Sequence, residues 1–409
     1  MNSNNTPRNR FRFTEYILVL MLILLAWLNT TAMPVVANIQ LMGFLVGSVA
    51  FMVVGFRLAM AFKNSWGKTT VITGIVMMGI VLILSGWFLY DGYISFENEE
   101  VHFANGDIIL GGTLFLPGSG CPCPAAVLIH GSGRQTRSEY EFYAQKLAQR
   151  GIIALAYDKR GTGASSGDLY SVGYDAYAGD VVAALNFLAS RLEVAEIGLM
   201  GYSEGELIAP MAYQQAPNKP AFIVIIGGSG LSPADQVNAE IALRLKSQEF
   251  QEVDVNRAVD LNEKVLEFQR NGARRDSLLL EIESARDEPW FSAAEDIPSN
   301  GEELGNFDDY SWWRNVMDTS PDSIWYDVDI PTLFVKGGND SRSSAESAEQ
   351  KFTSIFSENG NSQVEFYTYP GADHSILEWP LGENIPPPIF SGRYLDDLAD
   401  WIIANRSNN

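Results

Sequence analysis

Gly201-Tyr202-Ser203-Glu204-Gly205 constrains the fold of this chain more than any other stretch. It follows a short apolar run, Glu196-Ile197-Gly198-Leu199-Met200. A strand that ends in Gly-x-Ser-x-Gly turns sharply into a helix, and crowding at the turn calls for glycine on both sides of the serine. The turn lifts the serine hydroxyl beside free backbone N–H groups at a helix start. Five residues carry little weight alone. A base, an acid and an oxyanion site must follow in a workable order.

The surrounding chain has the rhythm such a turn needs. Phe96–Phe103 and Asp107–Leu116 read as a hairpin around Ala104-Asn105-Gly106. Short, continuously apolar strands are expected at Ala125–Ile129, Ile152–Tyr157, Glu196–Met200 and Ala221–Ile226. Helical spacing falls between them at Ser138–Arg150, Tyr174–Arg191 and Glu204–Gln214. Apolar strands alternating with helices argue for a parallel sheet covered on both faces. The rhythm stops over 232–326, a charged helical stretch broken at Pro289, Pro298 and Asn300-Gly301. It resumes with strand Thr332–Lys336, helix Ser344–Phe356, strand Gln363–Tyr369 and helix Ser391–Ala404. The stretch 232–326 is therefore expected to be an insertion between two strands of one sheet.

An activated serine needs a base within hydrogen-bond reach and a group that orients the base. The chain has three histidines. His102 lies in the first hairpin, and His130 opens His130-Gly131-Ser132-Gly133 directly after a strand. His374 lies in the loop after the last strand, where loops at strand C-terminal ends converge on a site. His374 is the expected base. Asp340 ends Gly337-Gly338-Asn339-Asp340, just past the preceding strand, and is the expected orienting acid. Asp373 is its rival, but an immediate neighbour curls back to the His374 ring with difficulty.

The order Ser203…Asp340…His374 is the nucleophile–acid–base order of α/β-hydrolases. Residues from about 97 to 405 resemble that superfamily, and most of all its bacterial esterase and serine-aminopeptidase-like members. The resemblance is carried by His130–Gly133, by Tyr157-Asp158-Lys159-Arg160-Gly161-Thr162-Gly163-Ala164-Ser165 and by Gly201–Gly205. It implies an α/β-hydrolase fold: a mostly parallel sheet, helices on both faces, and a helical lid at 232–326. It implies an oxyanion hole from the backbone N–H groups of Glu204 and Ser132. His130 would then hold its loop, and Asp158, Lys159 and Arg160 would brace the site loops. One position departs from the pattern: Glu206 stands where a second glycine often continues the elbow helix. Trp290, Phe291, Trp312, Trp313, Trp325 and Tyr326 fall in the insertion. They are expected to fill its own core, with an apolar acyl pocket as the alternative.

The N-terminal end reads differently. No charge occurs from Tyr16 to Phe56, 41 residues, long enough for two membrane spans with a break at Asn29–Pro34. A third uncharged run covers Thr69–Tyr90 and ends in interfacial aromatics. Arg8, Arg10 and Arg12 precede the first span; Arg57, Lys63 and Lys68 separate the second from the third. The positive-inside rule puts both basic segments in the cytoplasm, so three crossings leave everything after Asp91 outside. A cleaved signal peptide ending near Val35-Val36-Ala37 would leave two spans and the same side for the body. The expected organisation is a membrane anchor at 1–95 and a catalytic domain at 96–409.

The net charge of -22 argues against nucleic acid as a partner. Hydrophobic residues are 46% of the chain, enough for a large core. Cys121 and Cys123 read as two loop thiols, because a bridge across one residue conflicts with usual Cα separations of roughly 4.4–6.8 Å. No metal or organic cofactor is expected. The expected activity is cleavage of a small-molecule carboxylic ester or amide, lipid-like substrates included, through an acyl-enzyme. Serine aminopeptidase, acyltransferase and a non-catalytic binding or sensor domain remain open at this stage.

Overall fold

The computed structural model describes residues 96–118, 120–380, 382 and 388–405. The three membrane spans expected within 1–95 lie outside the described residues. Among the described residues, no helix is long and apolar enough to cross a membrane.

Residues Glu97–Glu378 and Phe390–Asn409 form one compact unit. Among the described residues, the eight strands of the main sheet are β1 (Phe96–Asn105), β2 (Ile108–Pro117), β3 (Cys123–Ile129), β4 (Ile153–Tyr157), β5 (Val194–Tyr202), β6 (Ile223–Ile226), β7 (Thr332–Gly337) and β8 (Val364–Tyr369). They lie side by side in the order β1-β2-β4-β3-β5-β6-β7-β8. β2 runs antiparallel to β4, and each pairing from β4 through β8 is parallel. The parallel strands are apolar on both faces because helices cover both: every residue of β3, β4, β6 and β7 is buried.

Helices α1 (Glu141–Ala148), α2 (Tyr174–Ala189), α3 (Gly205–Gln215), α10 (Ala345–Asn359) and α11 (Tyr394–Ala404) flank the sheet. The helix expected at Ser138–Arg150 is split. A turn of 3₁₀ helix at Arg137–Glu139, closed by a Thr136–Glu139 capping box, precedes α1. Between β6 and β7 the chain forms α4 (Pro233–Ser247), α5 (Glu252–Asn271), α6 (Arg275–Ala285), α7 (Gly301–Leu304), α8 (Ser311–Val316) and α9 (Pro321–Trp325). Ser232 caps α4 by accepting the Asp235 N–H, and Gly272 ends α5 in the left-handed conformation.

The inserted helices have a core of their own, in which Ile241, Leu261, Phe268, Trp290 and Phe291 are buried together. Trp312, Trp313, Trp325 and Tyr326 do not share it. Trp325 is 0% exposed and packs in the main core, with ring centroids 5.3 Å from Phe334 and 5.7 Å from Phe352 and Phe356. Trp312 and Trp313 also pack against the main core, and Tyr326 is exposed. Cys121 and Cys123 correct the reading of two loop thiols: they form a disulfide with Cα atoms 4.5 Å apart. That separation is just inside the range that excluded it on paper.

Strand register decides what meets at the sheet's C-terminal edge. Ile129 pairs with Gly201, Tyr202 with Ile226, Ile226 with Val335, and Gly337 with Tyr369. The loops that begin at His130, Ser203, Gly227, Gly338 and Pro370 therefore leave the sheet side by side.

Candidate functional site

Ser203 sits between the last residue of β5 and the first turn of α3, with φ 51°. A non-glycine residue held there stores strain of order 1–3 kcal/mol and needs its surroundings to hold it. Its N–H donates to Ile226 O at 2.8 Å, which ties the turn to β6. The flanking glycines are required by contact. A Cβ on Gly201 would stand 2.6 Å from Gly205 O, and one on Gly205 would stand 3.1 Å from Ile129 O. Helix and strand could not approach this closely with side chains in between.

His374 and Asp340 meet across 34 residues of chain. His374 Nδ1 donates to Asp340 Oδ2 at 2.8 Å, because a carboxylate oxygen can only accept. The opposite ring nitrogen, Nε2, is buried and has no hydrogen-bond partner among the described residues, the Ser203 hydroxyl included. Gly227 packs against the ring: a Cβ there would stand 2.8 Å from His374 Cε1. The Tyr202 ring lies edge-on, 5.3 Å away, and its hydroxyl pairs with Ser375 Oγ at 2.8 Å. Asp373 instead accepts the N–H groups of Ser375 and Leu377 at 2.8 and 3.0 Å, shaping the loop that carries His374.

The Asp340 side chain is 0% exposed. Burial alone would raise its pKa. The His374 hydrogen bond and the Lys336 charge outweigh burial and bring it down to about 2. Its other oxygen accepts the Arg342 N–H at 2.8 Å.

The His130–Gly133 loop lies against the elbow. A Cβ on Gly131 would stand 3.5 Å from Ser203 Cβ. The Gly131 N–H is already spent on the Tyr140 hydroxyl at 2.9 Å. The backbone N–H groups of Ser132 and Glu204 make no hydrogen bond within the described residues. His130 is buried, donates from Nε2 to Tyr157 O at 2.6 Å, and stands edge-on to Tyr140 and Tyr157. Burial, reinforced by the Lys159 charge, lowers its pKa to about 3, so it is a neutral strut at ordinary pH.

Lys159 links the two halves. Its Nζ donates to Gly131 O at 2.9 Å and to Glu204 Oε2 at 2.6 Å, with both side chains 6% exposed. Arg160 is bound to Asp180, and Asp158 accepts the N–H groups of Arg137 and Ala164 at 2.9 and 2.7 Å. Glu206 is covered by the loop after β6. It is buried and accepts from Ser229 N–H, Ser229 Oγ and Gly230 N–H at 2.8, 2.7 and 3.0 Å. Burial pushes its pKa up, and those donors pull against it.

A cavity of about 740 Å³ opens at the other end of the sheet, beside Val194, Ala221, Pro331 and Gln363. β5 separates it from Ser203 by roughly 25 Å at the usual strand rise. Among the described residues, no cluster of His, Cys, Asp or Glu is placed to hold a metal ion.

Lys336 escaped the sequence reading. It lies next to the end of a fully buried strand, and a lone lysine in such a strand is the signal that could have found it.

A family profile described as serine aminopeptidase, S33 matches residues 120–279. The chain is 22% identical over 324 residues to esterase EstD of Thermotoga maritima, spanning 76% of this chain and 68% of that one. It is 30% identical over 136 residues to rhodomycin D methylesterase DauP of a Streptomyces species, spanning 32% of this chain and 44% of that one. An esterase of Pyrococcus furiosus with a solved structure superposes with TM-score 0.48 at 15% identity, over 76% of this chain and 92% of that one. Strand order, the crossed first hairpin, the serine elbow and the family match together identify the fold as that of an α/β-hydrolase.

Proposed function

We propose that the chain is a serine hydrolase that cleaves a carboxylic ester through an acyl-enzyme. The observation that carries this reading is the hydrogen bond from His374 Nδ1 to the buried Asp340, on the same edge of the sheet where the strained Ser203 leaves β5. The esterases among its relatives support the ester class.

In this reading Ser203 Oγ attacks the carbonyl carbon and its proton passes to His374 Nε2. Asp340 keeps the other ring nitrogen protonated and stabilises the imidazolium that forms. The tetrahedral oxygen is held by the N–H groups of Glu204 and Ser132, each worth about 3–4 kcal/mol in the transition state. Collapse expels the alcohol, which takes the proton from His374. Water then repeats the sequence and frees the acid.

The same proposal tethers the enzyme to a membrane through residues 1–95, with the body outside the cytoplasm. The basic residues that flank the three apolar runs support this side. So does the Cys121–Cys123 disulfide, since such bonds persist mainly in oxidising compartments.

The test is Ser203→Ala in the full chain in detergent, assayed on p-nitrophenyl acetate. Turnover should fall at least a thousandfold with the thermal melt retained. Undiminished turnover would remove Ser203 from the reaction.

A further inference from the structure

We propose that Lys336 is a positioning residue for this reaction, gripping the same carboxylate oxygen that orients His374. The proposal rests on the reading that Ser203, His374 and Asp340 work together.

Lys336 is the next-to-last residue of β7, four residues before Asp340, and its side chain is 7% exposed. Its Nζ lies 2.8 Å from Asp340 Oδ2, the oxygen that accepts from His374 Nδ1. It also donates to Gly228 O at 2.9 Å and to Ser343 Oγ. One ammonium group thus uses its three donors on the acid, the loop after β6 and the loop after β7. With Arg342 N–H on Oδ1, the Asp340 carboxylate is held from both sides and cannot turn away from the ring.

The arrangement has an electrostatic consequence. When His374 takes the serine proton, a second positive charge forms against an oxygen already facing Lys336. Lys336 and the forming imidazolium share that one carboxylate oxygen, so neutralising Lys336 leaves it to His374 alone. Other ionisable groups face this cluster. Glu206 holds the Ser229–Gly230 loop, Arg342 is paired with Glu240 of α4, Asp373 precedes His374, and the Tyr202 phenol lies against the ring. All of them stay in place when Lys336 alone is neutralised.

The experiment is the pH profile of kcat/KM on p-nitrophenyl acetate, for the full chain in detergent, from pH 4 to 9. In Lys336→Met the acid limb should move to higher pH by roughly one unit, and the plateau should fall about tenfold. Lys336→Arg keeps the charge and should keep the wild-type limb. Lys336→Gln, neutral but still a donor, should shift as Met does, and it supplies the result if the Met variant does not fold. A limb that stays put in the neutral variants, whatever their plateau, overturns the proposal and leaves Lys336 a loop tie. A wild-type chain without ester turnover overturns both the proposal and the reading beneath it.

Discussion

The Lys159–Glu204 pair offers the sharpest test of how the elbow and the His130–Gly133 loop are held in register. Lys159→Met keeps the apolar stem and removes the charge. It leaves Glu204 buried without its partner at 2.6 Å, and it releases Gly131 O, which Lys159 held at 2.9 Å. Removing one member of a buried pair costs about 3–5 kcal/mol. At about 2 °C per kcal/mol for a body of this size, the melt should drop by roughly 6–10 °C. Glu204→Gln should cost less, about 1–3 kcal/mol, because Lys159 keeps Gly131 O and the face of Tyr177, 5.0 Å from its ring centre. The double variant strands no charge, so its loss should fall short of the summed single losses by about 2 kcal/mol or more. Activity should follow a different order. Lys159→Met moves the loop that presents the Ser132 N–H, so kcat should fall about a hundredfold while KM changes little. Tryptophan fluorescence melts and ester turnover on the full chain read both quantities. A Lys159→Met shift below about 2 °C, or strictly additive losses, would refute the reasoning.

Three other outcomes follow from the same geometry. Gly201→Ala places a methyl 2.6 Å from Gly205 O, so the elbow must open, and fluorophosphonate labelling of Ser203 should slow at least a hundredfold. His130 has a lower pKa folded, about 3, than unfolded, near 6.5, so its contribution is complete above pH 6.5 and is lost as pH falls toward 3. Wild-type stability should therefore drop by up to about 1.4 kcal/mol per pH unit in that window, and His130→Gln should flatten the drop in melts taken at pH 4–7. A reporter fused after Asp91 should be active only outside the cytoplasm; activity confined to the cytoplasm would reverse the proposed topology.

The parts of this site that could be read from sequence are those tied to the backbone. The glycines around Ser203 announce a turn too tight for side chains, and the 2.6 Å that a Gly201 Cβ would leave to Gly205 O bears that out. Asp340 and His374 were found by position, since loops that follow parallel strands leave the sheet on one edge. What escaped depends on contacts between distant segments. Nothing in Thr332–Lys336 says which carboxylate its lysine will meet. Nothing near Glu206 shows that the Ser229–Gly230 loop folds back to cover it. Trp325 reads as one more aromatic of an insertion, yet it belongs to the core it rejoins. The Cys121–Cys123 bridge was missed because a general separation rule was applied to the one spacing at its margin.

The central claim is that Ser203 is an activated nucleophile, and covalent capture tests it most directly. Full-length protein in detergent would be treated with a fluorophosphonate and the adduct mapped by peptide mass spectrometry. The account predicts one adduct, on Ser203, that disappears in His374→Ala and in heat-unfolded protein. A folded chain that leaves Ser203 unlabelled, or labels another residue instead, would contradict it.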